Sequence, residues 1–219
     1  MNQTRVDVRA GYDAAAREYA EKFAGELAYK PLDRELLAKF AAEVKGKGPV
    51  SDLGCGPGQT TALLHLGGAE VTGIDLSPRL VEEGRRLFPE VKFEVGDMLA
   101  LPREDGTQAG IVAFYAIVHF SKEELRRAIR EMHRALAPDG KALLSFHIGD
   151  ETVRVEGFLG KPVTLEFRFF EPSFVRAELE AAGFVGVEVV ERAPYPEEHP
   201  TRRAYVSARK RENRLNRST

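Results

Sequence analysis

Val50-Ser51-Asp52-Leu53-Gly54-Cys55-Gly56-Pro57-Gly58 reads as the end of a buried strand, a glycine-rich turn and the first turn of a helix. Glycines at alternate positions let the backbone approach a ligand closely, since no Cβ intrudes and positive φ costs nothing. The helix that follows directs its unpaired N–H groups toward whatever lies in the turn. Asp52 adds a carboxylate at the mouth of that turn. A pyrophosphate is repelled there and a cationic ligand attracted.

Outward from this turn, strand and helix patterns alternate. The periodicity predicts strands near 50–53, 70–75, 91–95, 110–116 and 141–147, and helices near 59–66, 78–87 and 121–136. Ser77-Pro78 and Ser121-Lys122-Glu123-Glu124 are helix starts, the second a capping box. Pro138-Asp139-Gly140 is a turn before a strand. Such alternation specifies a parallel sheet covered on both faces.

Upstream, residues 8–27 carry Tyr12, Ala16, Tyr19 and Phe23 at helical spacing, and 31–45 place Leu32, Leu36, Leu37, Phe40 and Val44 on one stripe ended by Gly46 and Gly48. Downstream, Thr152–Glu156 and Val163–Phe169 break the alternation as two strands around Gly157 and Gly160. This insert suits a flap over a binding mouth, with Phe158, Phe167, Phe169, Phe170 and Arg168 shaping an apolar pocket with one cation. A helix near 172–182, a stop at Gly183, and strands near 184–192 and 203–209 follow, the last pair read as an antiparallel hairpin at the sheet edge. The tail from Arg209 to Arg214 is basic and reads as a frayed terminus.

Composition narrows the class. The chain has 219 residues, 43% hydrophobic and 30% charged, which are the values of one globular domain. A net charge of −2 gives no pull toward nucleic acid or an anionic membrane. No apolar run reaches the roughly 18 residues of a membrane span, and Met1–Asp7 lacks the apolar core of a signal peptide, so the expected location is cytoplasmic. A single cysteine, Cys55, excludes an intrachain disulfide, and no pair of histidines has metal-ligand spacing, so no metal is expected.

Two further acids arrive at strand ends. Asp75, in Gly73-Ile74-Asp75-Leu76-Ser77, lies 23 residues after Asp52, near the spacing at which Rossmann-like sites hold a ribose diol. Asp97, in Gly96-Asp97-Met98, stands where a carboxylate accepts from an exocyclic adenine amine while Met98 packs on the ring. With Asp52–Gly58, Gly73–Ser77, Gly96–Met98 and the run Tyr115–Gly140 in this order, the chain resembles the class I S-adenosylmethionine-dependent methyltransferases of small-molecule type. Tyr12-Asp13 and Tyr19 are similar to that family's N-terminal lid helix.

The resemblance covers about residues 10–210 and implies one domain: helical lid at 1–45, cofactor core at 50–150, flap at 151–170, C-terminal helix and hairpin at 171–210, and tail at 211–219. It implies an α/β, Rossmann-like, mostly parallel seven-stranded sheet whose final strand is reversed. The implied cofactor is S-adenosylmethionine, leaving as S-adenosylhomocysteine. Gly54, Cys55, Gly56 and Gly58 would then form the methionine side of the site, with Asp52 near the ammonium. Asp75, Leu76 and Ser77 would hold the ribose, Asp97 and Met98 the adenine, Phe114 and Tyr115 would lie near the sulfonium, and Tyr19 would cover the carboxylate. Where the family commonly has an acid before the fourth strand, this chain has Gln108-Ala109-Gly110.

His119, after the fourth strand, and His147, ending the fifth, are expected at one rim as general base or substrate clamp. His65, His133 and His199 are expected on helix or loop surfaces. Methyl transfer to a small molecule follows from the resemblance. An NAD(P)-dependent oxidoreductase and an RNA or protein methyltransferase stay open beside it. The oxidoreductase lacks a recognisable catalytic set, and the balanced charge argues against a nucleic-acid partner.

Overall fold

The computed structural model describes residues 4–212; the residues from 213 on, which include part of the expected frayed tail, lie outside the described residues. Helices α1 (Arg5–Phe23) and α2 (Pro31–Val44) open the chain, with a 3₁₀ turn at Glu26–Tyr29 between them. The alternating section is β1 (Pro49–Leu53), α3 (Gln59–Leu66), β2 (Glu70–Asp75), α4 (Pro78–Leu87), β3 (Lys92–Val95), β4 (Gln108–Phe114), α5 (Lys122–Ala135) and β5 (Leu136–His147). Strands β6 (Thr152–Phe158) and β7 (Lys161–Arg168) pair with each other, and α6 (Pro172–Ala181), β8 (Phe184–Arg192) and β9 (Arg203–Lys210) complete the order.

Seven strands form one sheet in the order β3-β2-β1-β4-β5-β9-β8. Strands β1 to β5 pair in parallel, while β9 runs antiparallel to both β5 and β8. The closing antiparallel hairpin lies at one edge of the sheet as expected, with β9 beside β5 and β8 outermost. The fifth strand also begins earlier than expected, at Leu136, with Asp139 at φ +64 inside it. The first helix starts earlier than its periodicity suggested, at Arg5, and ends earlier, at Phe23, with a 3₁₀ turn N-capped by Gly25 after it.

Strand alternation assigns the core. Ile111, Ala113, Leu144 and Phe146 face α5 and α6, where Leu125, Ile129, Met132, Val175 and Leu179 meet them. Val112, Phe114, Leu143 and Tyr205 face the other way, against Leu37, Phe40 and Val44 of α2. Every residue of β4 is buried, as a central strand covered on both faces requires. The Ser121 capping box forms as its spacing implies: Ser121 Oγ accepts from the Glu124 N–H and the Glu124 carboxylate accepts from the Ser121 N–H.

The strand order reverses between β1 and β4, so a crevice opens above their carboxyl ends. Helix α1 lies across this crevice, and the β6–β7 ribbon packs on α1. The two approach closely because residue 11 is glycine; a Cβ there would stand 2.9 Å from Leu165 Cδ2. Lys161 pairs with Glu18 at 2.6 Å beside that contact.

Gly58 fixes the start of α3. Its φ is +94, and a Cβ would stand 2.5 Å from the Phe93 ring. Gly58→Ala therefore combines left-handed strain with overpacking and is expected to cost about 2–4 kcal/mol, read as a fall in melting temperature of several degrees in a thermal scan. An unchanged melt would show that the turn relaxes freely.

Candidate active site

The chain leaves β1 and doubles back through Gly54, Gly56 and Gly58, all at positive φ. A Cβ on Gly54 would stand 2.6 Å from the Ala116 Cβ, so the turn is pressed against the exit of β4. Gly54 and Cys55 both donate their N–H to Ile74 O, at 2.7 and 3.2 Å. The Gly56 N–H donates to Asp75 Oδ2 at 2.9 Å, and the Ser77 N–H to Asp75 Oδ1 at 2.8 Å. Asp75 thus pins two strand-end turns together, with about two of its roughly four lone-pair sites left over. Burial pushes its carboxyl up from the usual range, against the pull of those two N–H groups.

Asp52 is 1% exposed and accepts from Thr61 Oγ1 at 2.7 Å. Burial, more than its neighbour Asp75, pushes its carboxyl up to about 7. Thr61, on α3, was not singled out from sequence.

Two cavities flank this turn. The first, ≈ 100 Å³, is lined by Asp52, Gly54, Cys55, Gly56, Asp75, Leu76, Met98, Phe114 and Tyr115, with Tyr19 of α1 and His119. The second, ≈ 370 Å³, lies under the β6–β7 ribbon. Tyr12, Tyr19, Glu26, Tyr115 and Val118 line both, so one aromatic wall separates them. Tyr115 in that wall holds φ +51, a strained conformation for a non-glycine residue, and its N–H donates to Ser145 O.

Three expected cofactor residues point elsewhere. Gly58 faces Phe93 and Phe88. Ser77 Oγ is used up capping α4 and donating to Asp13 on α1 at 2.6 Å. Asp97 accepts from Arg5 of α1 at 2.6 Å and from the Leu99 N–H, both through Oδ1. Sequence spacing places residues in turns but does not show what a neighbouring helix takes from them.

The two histidines are also divided. His119 lines the first cavity and His147 the second. His119 Nδ1 lies 2.7 Å from Glu166 O, so Nδ1 carries the proton and Nε2 accepts from the Tyr12 hydroxyl at 2.9 Å. Burial lowers its pKa to about 4. His147 contacts Thr201 Oγ1 at 2.6 Å, and burial, then Arg203, lowers its pKa to about 3. His199 is exposed on the loop before β9, as expected, and also borders the second cavity, its ring 6.4 Å from that of His147. Of the pocket expected from the insert, Phe158, Phe167 and Phe169 are present. Phe170 turns into the core, and Arg168 donates to His119 O and Glu166 instead of facing the cavity. Gln108, at the far end of β4, accepts from Ser51 and is structural.

Sequence reading missed a buried ionic network behind the second cavity. Asp33, 0% exposed, accepts from the Tyr115 and Tyr205 hydroxyls at 3.0 and 2.7 Å and pairs with Arg192 at 3.1 Å. Arg192 also grips both oxygens of Glu198. Lys30 pairs with Glu26 at 2.7 Å and sits over the Tyr115 ring. One signal was available: an acid at 33 on the same stripe as Leu37, Phe40 and Val44 is a buried charge in need of partners.

Comparison with known proteins agrees with this geometry. Residues 50–140 match the family described as "Methyltransferase domain". Demethylmenaquinone methyltransferase of Chlorobaculum parvum is 30% identical over 151 residues, 66% of this chain and 61% of that protein. The uncharacterized methyltransferase YcgJ of Bacillus subtilis is 32% identical over 149 residues, 66% of this chain and 56% of that one. The chain thus spans less than two thirds of the length of these curated relatives. Magnesium protoporphyrin IX methyltransferase from Synechocystis, solved with bound S-adenosylmethionine, superposes with a TM-score of 0.71 at 18% identity, covering 96% of this chain and 100% of that one, a likeness of fold. Residues 50–140 thus resemble a methyltransferase domain, and the fold is the one seen in methyltransferases solved with S-adenosylmethionine.

The chemistry of the first cavity fits S-adenosylmethionine: two buried acids for its cationic and hydroxyl groups, a glycine turn that brings backbone and no side chain to the wall, and Met98 beside it. Its volume is below the roughly 300 Å³ of an ordinary ligand pocket. On the α1 side of this cavity Arg5 reaches Asp97 and stacks over Phe120 at 5.0 Å, while its own Nε has no hydrogen bond.

The raised carboxyl of Asp52 has a measurable consequence. Its folded pKa, about 7, exceeds the ordinary 3.8 of an aspartate. The protonated form is favoured in the fold, so this group's contribution is present at low pH and lost as pH rises toward 7, at about 1.4 kcal/mol per unit of difference. Asp52→Asn is expected to gain melting temperature relative to the native protein on going from pH 5 to pH 8.5. A pH-independent difference between the two melts contradicts this.

Proposed function

We propose that this protein transfers the methyl group of S-adenosylmethionine to a small molecule with an apolar body. The observation that carries the reading is the pair of cavities meeting at one aromatic wall, the first built on carboxylates and a glycine turn, the second on Phe158, Phe167 and Phe169. S-adenosylmethionine, when bound, supplies an electrophilic methyl on a positively charged sulfur. Its relatives' names point the same way, since both are methyltransferases.

The chain's residues divide the work. Asp75 offers its remaining lone pairs to two ribose hydroxyls, and Asp52 offers negative charge to the α-ammonium. Met98 packs against adenine, and Asp97 reaches its amine once Arg5 withdraws. The aromatic wall excludes water and lines up an acceptor, which supplies most of the acceleration when the leaving group is already good. His119, neutral at physiological pH, takes a proton from an acceptor hydroxyl or neutral amine. With a pKa near 4 it does so as the new bond makes that group acidic, rather than by ionising it beforehand. Tyr12 stands between His119 and the second cavity and is the group an acceptor meets first. His147 serves as a clamp on the acceptor. The buried Asp52 and Asp75 disfavour a dinucleotide pyrophosphate, which sets the oxidoreductase reading aside.

Calorimetric titration with S-adenosylhomocysteine is expected to show binding by the native protein, weakened roughly 10- to 100-fold in Asp75→Ala, the scale of hydrogen bonds to a charged group. No binding, or full affinity in that variant, overturns the assignment. With an acceptor found by a labelled-cofactor screen, His119→Ala should lower kcat by about 10²–10⁴ while leaving S-adenosylhomocysteine affinity unchanged; an equal loss in both would make His119 structural.

A further inference from the structure

The second cavity holds a histidine whose tautomer is set by its neighbours. His147 ends β5 and is half-buried. Its Nδ1 lies 2.6 Å from Thr201 Oγ1. That hydroxyl is already an acceptor, because Arg203 Nη1 donates to it at 2.7 Å and a guanidinium has no lone pair to offer in return. The one proton on Thr201 Oγ1 is therefore left for His147, and Nδ1 receives it. Burial, then Arg203, lowers the pKa of His147 to about 3, so the ring is neutral at physiological pH. A neutral imidazole that accepts at Nδ1 carries its own proton on Nε2. Nε2 has no hydrogen bond among the described residues and is not sealed from the surface. The ring stacks on Phe169, centroids 5.3 Å apart, and meets Tyr115 of the dividing wall at 5.6 Å. Of the two roles expected for His147, the geometry keeps the clamp and removes the base: one nitrogen has its lone pair engaged and the other has a proton.

The charges around it cancel. Lys22, Lys30 and Arg203 line this cavity, and so do Glu26, Glu197 and Glu198. Lys30 pairs with Glu26 and Glu198, and Glu198 also with Arg192 and Arg203. Lys22 and Glu197 are exposed. Three cations against three acids give neither an anion nor a cation a net attraction, which suits a neutral ligand.

We infer that the methyl acceptor is a neutral, flat compound with a conjugated carbonyl, whose oxygen accepts from His147 Nε2–H while its body packs among Phe158, Phe167 and Phe169. This rests on the methyl-transfer reading and names its substrate class. The lone pairs of a conjugated carbonyl lie in the plane of the molecule, and the imidazole N–H lies in the plane of its ring. A flat body against the aromatic walls can therefore meet this donor edge-on without leaving them. His147 is a specificity determinant: it selects and orients the acceptor and moves no proton.

Proton–nitrogen correlation spectra of nitrogen-labelled protein at neutral pH are expected to show His147 protonated at Nε2 and bare at Nδ1. The opposite tautomer, or a charged ring, overturns the inference. Protein saturated with S-adenosylhomocysteine is then titrated calorimetrically with two probes of one shape, 2-acetylnaphthalene and 2-isopropenylnaphthalene, in which a methylene replaces the carbonyl oxygen. The ketone is expected to bind roughly 3- to 10-fold tighter, the scale of one neutral hydrogen bond. The difference is expected to vanish in His147→Phe, which keeps a ring against Phe169. If His147→Phe does not fold, the tautomer and the two-probe comparison on the native protein decide. Equal binding of the two probes, a difference that survives in His147→Phe, no binding of the ketone, or tighter binding of 2-naphthoate or 2-naphthylmethylammonium than of the ketone overturns the inference while leaving methyl transfer standing. Failure to bind S-adenosylhomocysteine in the first place overturns the methyl-transfer reading itself, and this proposal with it.

Discussion

The site depends on a single carboxylate acting as a staple. Asp75 sits at the end of β2 and accepts N–H groups from two different turns, Gly56 after β1 and Ser77 before α4. Strand pairing alone fixes the strands; it does not fix the loops that leave them. Asp75 does, by giving two otherwise unpaired backbone donors a common acceptor in a buried place where each is costly to leave unmade. The charge itself pays a desolvation cost, visible as a raised carboxyl. A site that must receive hydroxyls and a cation has reason to keep such a group, since a ligand completes what the fold leaves unfinished.

A second organisation lies on the far side of the rim. Asp33, Tyr115, Tyr205, Arg192, Glu198 and Lys30 join α2, β4, β8, β9 and the loop before β9 through one connected set of hydrogen bonds and ion pairs. Buried pairs of this kind add little net stability, because desolvation offsets attraction. Their use here is placement. They hold Tyr115 in a strained backbone conformation and set Lys30 and Arg203 at one end of the cavity.

Helix α1 ties the halves together. Arg5 engages Asp97, Asp13 engages Ser77, and Tyr12 engages His119, three contacts from one helix to three strand-end segments. The β6–β7 ribbon presses on the same helix through Leu165 against Gly11, and its Glu166 carbonyl selects the tautomer of His119. Through His119, the ribbon that covers the second cavity therefore also governs a proton-accepting nitrogen at the wall of the first.

Local chemistry was enough to fix much of this from the sequence. Alternating periodicity specifies the parallel sheet, alternate glycines specify the turn after β1, and acids at 52, 75 and 97 mark three successive strand ends, because each of these is a property of neighbours along the chain. The Ser121–Glu124 cap is legible for the same reason. What only the tertiary structure decided is which of those groups remain available: Asp97 is taken by Arg5, Ser77 by Asp13, Phe170 by the core, and the two histidines are separated by an aromatic wall. Asp33 acquires meaning only through partners such as Tyr205, 172 residues away. Periodicity encodes which side of an element is buried, whereas the pairing of polar groups is set by contacts between distant segments.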